Sequence, residues 1–287
     1  MIVEKAFAKI NIGLNIIGKR SDGYHDIDTV MQTIELHDVI KLEPTSGGIS
    51  ILCNNPYLPL DRRNTVWKAA EVFMQKAAMN INNNGIRIEI QKNIPSEAGL
   101  GGGSSDAAAV LRAMDKLFGT GYGPEELIEL ASMIGSDVPF LIEGGTVRAK
   151  GRGEMMEKLS DYSGIDTIIA MPDACVSTAE AYSLFSKCGN PFHPDIDSLA
   201  ARLNDRNPVS IRNLVGNTFE NLIFPLKPLI EKTKHDILET APLVCSMTGS
   251  GSAVFGFYGS GEAACRAYEF LSAKYKTFIT KTTGGVN

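Results

Sequence analysis

The stretch Pro95-Ser96-Glu97-Ala98-Gly99-Leu100-Gly101-Gly102-Gly103-Ser104-Ser105-Asp106-Ala107-Ala108 constrains this chain more than any other. Four glycines lie between positions 99 and 103. They let the backbone take positive φ and approach a ligand without Cβ clashes. Upstream, Ile86, Ile88 and Ile90 alternate with Arg87 and Glu89, the two-residue period of a half-buried strand. Downstream, Ala107, Val110, Leu111, Met114, Leu117 and Phe118 follow helical spacing, with Ser104 and Ser105 as N-cap types at the helix start. A glycine-rich loop that runs from a strand into a helix offers free N–H groups and partial positive charge, so it predicts an anion, foremost a polyphosphate. A flexible linker of similar composition would not feed directly into an amphipathic helix.

Composition narrows the partners of such a loop. The 287 residues suffice for one large or two ordinary domains, and the formal charge of −5 with no long basic run argues against a nucleic-acid scaffold. Positive potential must therefore be local, from a helix end and a few lysines. Cys53, Cys175, Cys188, Cys245 and Cys265 are scattered and never in a C-x-x-C pair, which predicts reduced thiols in the cytoplasm and no cysteine metal site. The first residues, broken by Glu4, Lys5 and Lys9, do not read as a secretory signal, and no apolar run approaches membrane-spanning length.

Along the chain, Ile10, Ile12, Leu14 and Ile16 alternate with Lys9, Asn11, Gly13 and Asn15, predicting a strand over about 5–17 with one buried face and a polar face that can line a site. Gly13 and Gly18-Lys19 have Walker A spacing, but Arg20 stands where a hydroxyl residue must hold magnesium, and the strand pattern contradicts that loop. Strands are expected over 30–36, 39–42, 86–90, 146–150, 167–171 and 277–280. Helices are expected over 65–78, from Ser104 to Phe118, from Pro124 to Gly135, and over 179–185, 210–215, 226–238 and 262–274. This is an α+β order and not a run of βαβ repeats. Asp137 sits in the tight turn Gly135-Ser136-Asp137-Val138-Pro139, where an aspartate ordinarily bonds its own backbone. A second small-residue loop, Thr248-Gly249-Ser250-Gly251-Ser252, precedes a strand. A composition change near 152–163 divides the chain at 155/156, and the segment 186–205 carries no placeable motif.

Three of these pieces, Ala8-Lys9-Ile10-Asn11, Pro95 to Ala108 and Thr248-Gly249-Ser250-Gly251, resemble the shared motifs of the GHMP kinase superfamily over nearly the whole chain. Gly18-Lys19-Arg20, Asp22-Gly23-Tyr24-His25, the triple glycine and the Gly135 to Pro139 turn are similar to the branch acting on a cytidyl-methylerythritol acceptor in non-mevalonate isoprenoid precursor synthesis. The resemblance implies a two-domain fold. Residues 1–155 would form an ATP-binding domain resembling a ribosomal-protein fold, and residues 156–287 a ferredoxin-like domain. It also implies transfer of the ATP γ-phosphoryl group to a 2-hydroxyl, with Mg2+.

By the same resemblance Asp137 is the general base and Lys9 its partner, and a lysine beside a carboxylate keeps it ionised. Asn64, Lys92, Pro95, Gly99, Leu100, Gly101, Gly102, Gly103, Ser104 and Ser105 surround ATP, with Ser104 or Ser105 as the magnesium contact. Asn11, Tyr24, His25, Thr178, Tyr182, Gly249 and Gly251 face the cytidyl substrate; Tyr24 stacks on the pyrimidine, His25 bonds its edge and Tyr182 closes the other face. Glu97 is a departure, an acid beside the phosphates. The competing expectations are a kinase of homoserine, mevalonate or a sugar, against which the Asp-Gly-Tyr-His loop argues, and a noncatalytic nucleotide- or RNA-binding module. No membrane or nucleic-acid partner is expected, and the protein is expected to be a monomer or homodimer.

Overall fold

A computed structural model describes residues 1–80 and 83–286. The first half contains β1 (Ile2–Lys19), β2 (His25–Thr45), β3 (Ile49–Cys53), α1 (Thr65–Lys76), β4 (Gly85–Gln91), α2 (Gly102–Phe118), α3 (Pro124–Ser132), α4 (Phe140–Glu143), β5 (Thr146–Gly151) and β6 (Met155–Lys158). The second contains β7 (Asp166–Met171), α5 (Thr178–Lys187), α6 (Ile196–Arg202), β8 (Gly216–Asn217), α7 (Glu220–Ile223), α8 (Pro228–Glu239), β9 (Val244–Met247), β10 (Val254–Tyr258), α9 (Gly261–Ser272) and β11 (Lys276–Lys281). The α+β, two-part architecture expected from the sequence is the one observed.

One sheet runs β3-β4-β2-β1-β8, with β5 pairing β2 and β6 pairing β5. Its strands are antiparallel except at β3–β4 and β1–β8. The other sheet, β11-β7-β10-β9, is antiparallel throughout. With α8 between β7 and β9, and α9 between β10 and β11, it has the β-α-β-β-α-β order of a ferredoxin-like unit.

β1 joins the halves. Its even-numbered side chains pass through all three apolar clusters: Ala6 among α1 and α2, Ala8, Ile10 and Ile12 between the sheets, and Leu14 and Ile16 among β7, β10 and α5. On its polar face, expected to line a site, Lys9 and Asn11 are largely covered, at 4% and 5% exposure. Bulges between Phe7 and Lys9 and between Asn11 and Gly13 re-aim those two residues.

The two strands expected over 30–36 and 39–42 are one strand, β2. His37 and Asp38 lie between the two expected ranges. Asp38 is fully buried, accepting from the Asn93 and Ile94 N–H groups and from Lys92, so its polarity is satisfied inside the sheet. The helix expected over 210–215 is a single 3-10 turn at Pro208–Ile211. β3 and α6 were not anticipated; α6 lies in the motif-free segment and buries Ile196 and Leu199 against β1. Among the described residues no helix is long and apolar enough to cross a membrane.

Candidate active site

The glycine-rich loop and the second small-residue loop are braced together. The Ala253 N–H donates to the Ala98 carbonyl at 3.2 Å, and the Thr248 hydroxyl lies 3.3 Å from the Gly99 carbonyl. A Cβ on Gly99, at φ +76°, would stand 2.2 Å from the Thr248 carbonyl oxygen, so no other residue fits there. Asn217 carries the second loop from below, its amide donating to the Met247 and Gly249 carbonyls at 2.9 and 2.8 Å. Gly101, left-handed at φ +70°, is the N-cap of α2, and the Lys9 side chain runs where its Cβ would be.

Because α2 starts at Gly102, Ser104 and Ser105 are not its caps but lie in its first turn. A glycine cap has no side chain to consume the first N–H groups, which stay available to a ligand. The two serines then diverge. Ser104 lines the cleft, whereas Ser105 is buried and donates to the Phe7 carbonyl at 2.6 Å, so only Ser104 is placed to meet a ligand.

Lys9 and Asp137, 128 positions apart in sequence, meet on the floor of this cleft, of about 560 Å³, with Lys9 Nζ 3.4 Å from Asp137 Oδ2. Lys9 Nζ also donates to Asn11 Oδ1 at 2.7 Å. The Asn11 amide cannot turn over: its Nδ2 donates to Thr29 Oγ1, which itself donates to the Gly13 carbonyl. Thr29 is a part of the site that sequence reasoning missed; Thr248, already placed in the second small-residue loop, also accepts from the Asn11 N–H. Among the described residues Asp137 makes no turn bond of its own; its 39% exposed carboxylate faces Lys9 and the cleft.

Lys92 is neither solvated nor free. Its ammonium is held by Asp38 and by Asp106 at 2.7 Å, with 6% of the side chain exposed. Burial works against its charge, but the two carboxylates prevail and raise its pKa above the ordinary lysine value. Burial raises the Asp106 carboxyl, and Lys92 opposes that shift. Asn64 lines the cleft while capping α1, accepting from the Val66 N–H.

The acceptor side departs from expectation. Tyr182, expected to close over a pyrimidine opposite Tyr24, stacks on His25 with centroids 4.6 Å apart. Burial, then the nearby Asp137 carboxylate, push the Tyr182 phenol up to about 12. Tyr24 is 55% exposed beneath the Arg152 guanidinium, 4.7 Å from its ring centre. Tyr182, Thr178 and Gly249 line the cleft, whereas Tyr24, His25 and Gly251 do not; Gly251 at φ +87° backs onto Met247. Asn15, also on the polar face expected of this strand, bonds His193 and does not line the cleft.

A phosphate loop at a helix start, a lysine–carboxylate pair and a second glycine loop closing from the other half define a small-molecule kinase site. Residues 64–145 match the family model "GHMP kinases N terminal domain" and residues 195–277 match "GHMP kinases C terminal". The chain belongs to the GHMP kinase family. It is therefore an ATP-dependent phosphotransferase acting on an alcohol group. Among its relatives, the 4-diphosphocytidyl-2-C-methyl-D-erythritol kinase of Clostridium botulinum (strain Alaska E43 / Type E3) is 42% identical over 97% of this chain and 99% of its own. That of Acetivibrio thermocellus is 36% identical over 97% and 98%. A crystal structure of 4-(cytidine 5'-diphospho)-2C-methyl-D-erythritol kinase superposes with TM-score 0.84 at 31% identity, covering 99% of this chain and all of that one. A homoserine kinase from Cytophaga hutchinsonii, TM-score 0.75 at 18% identity over 99% and 96%, shares the fold.

Proposed function

We propose that this protein phosphorylates the 2-hydroxyl of 4-diphosphocytidyl-2-C-methyl-D-erythritol with ATP, a step of isoprenoid precursor synthesis by the non-mevalonate route. The observation that carries this reading is the Lys9–Asp137 pair beside the phosphate loop, on a chain whose full-length relatives carry that name. Asp137 accepts the acceptor hydroxyl proton as the oxygen attacks the γ-phosphorus, the bond to the β-phosphate oxygen breaks, and ADP leaves. Lys9, its direction fixed by Asn11, faces the Asp137 carboxylate at 3.4 Å and offsets charge on the transferring phosphoryl group.

Magnesium fits this site as an ion arriving on the triphosphate. Among the described residues no group of three or more His, Cys, Asp and Glu is gathered to hold a metal by itself. Mg2+ characteristically takes most of its ligands from phosphates and water. Ser104, which lines the cleft, is the residue that would reach it, and the ion would neutralise phosphate charge.

Residues 1–155 supply the ATP side and residues 156–287, through Thr178, Tyr182 and Gly249, complete the acceptor side. Tyr24 recognises the pyrimidine with its exposed ring, and His25 joins it once freed from Tyr182. Five free cysteines support a reducing, cytoplasmic setting. The test is ADP release with the cytidyl compound beside homoserine, mevalonate and galactose. Turnover confined to the cytidyl compound is expected; turnover of homoserine without it would overturn the assignment.

A further inference from the structure

Glu97 lines the cleft from within the phosphate loop. Its backbone is left-handed at φ +55°, a conformation that disfavours a residue with a Cβ. The neighbouring Ala98 carbonyl is pinned by the Ala253 N–H, which fixes where the Glu97 side chain starts. The other charges of the cleft are matched. Lys9 faces Asp137, Arg63 faces Asp61, and Lys92 lies between Asp38 and Asp106. Glu97 alone among the charged lining residues has no hydrogen bond or ion pair within the described residues. An unpaired carboxylate on a disfavoured backbone contributes nothing to holding the loop. Its effect falls on whatever charge enters beside it.

Resting on the kinase reading above, we propose that Glu97 is a specificity determinant that makes this cleft discriminate magnesium-bound from metal-free triphosphate. The α2 N-terminus and Lys9 attract any polyphosphate, but each cation of the cleft already faces a carboxylate, so none is left over to offset Glu97 against a bare one. A triphosphate carrying a divalent cation brings the opposite charge to the same place, and the repulsion is offset.

The test is calorimetric titration of ATP, without acceptor, into the wild type and Glu97→Gln, once with chelator and once with excess magnesium. Glu97→Gln keeps shape and removes charge. The variant should bind metal-free ATP about fivefold more tightly, the size of one screened like-charge interaction across a cleft, with the magnesium complex changing by less than about twofold. Glu97→Asp, which keeps the charge, should retain the wild-type ratio. An equal change for both forms, or none for metal-free ATP, would overturn the inference. Absence of ATP binding to wild type under both conditions would instead overturn the kinase reading, and the inference with it.

Discussion

Lys9 has one direction in which to point. Gly101 leaves its stem a track, Asn11 holds its ammonium at 2.7 Å, and Asp137 waits 3.4 Å away. At the residue scale this gives separable expectations. Asp137→Ala should lower kcat by about 10²–10⁴, the usual worth of a positioned general base, with little effect on ATP affinity; steady-state kinetics beside nucleotide titration checks both. Gly101→Ala places a methyl group 3.0 Å from Lys9 Cγ on a left-handed backbone. It should cost about 1–2 kcal/mol in chemical denaturation and lower kcat more than it raises KM. Tyr24→Ala should leave the melting temperature unchanged, since the ring is exposed, and raise KM for the cytidyl acceptor; an unchanged KM would assign that ring to its Arg152 contact alone.

At the scale of elements, the site is the meeting of two glycine loops, and the weaker-looking one has the stronger support. Asn217, from a strand of only two residues, donates to the carbonyls on either side of Thr248 and accepts from the Phe219 N–H. Glu220 follows, binding the Met247 N–H and the Ser246 hydroxyl while Lys234 neutralises it. Removing the Asn217 side chain takes a hydrogen bond from three buried backbone groups. Asn217→Ala should therefore cost about 2–4 kcal/mol by denaturant midpoint. Because Gly249 lines the cleft, KM for the acceptor should rise as well, which a purely structural loss elsewhere would not produce.

Across the whole molecule, the halves are joined by β1 and by the contact of His25, at the start of β2, with Tyr182 and Phe185 of α5. Burial, with Lys19 adding to it, lowers the pKa of His25 below the ordinary 6.5. A histidine kept neutral by the fold binds fewer protons folded than unfolded, so stability rises with pH there. The contribution is fully present above about pH 6.5 and lost as pH falls through the lower folded value. Denaturation midpoints should decline as pH drops from about 6.5 towards 5, and His25→Gln should flatten that part of the profile.

How much of this was legible beforehand divides along physical lines. Periodicity is local, so the strand before the phosphate loop, α2, Pro124 opening α3 and the closing helix and strand were readable from spacing alone. The phosphate loop was readable too, because Gly99 and Gly101 take left-handed conformations that favour glycine. The continuity of β2 through Asp38 and the helix α6 were not legible, because a charge anchored by distant N–H groups and a short helix packed on a distant strand take their meaning from partners far away in sequence. Chemistry-bearing residue types were likewise visible one at a time: Lys9, Asp137, Tyr24, His25 and the glycines. What only the tertiary structure decided was who faces whom. It placed Lys9 against Asp137, turned Ser105 away from Ser104, stacked His25 on Tyr182, and left Glu97 alone among matched charges. Sequence carries conformational preference and residue chemistry, which act over a few neighbours; pairing across a cleft depends on packing that brings positions 9, 97, 137 and 249 to one place.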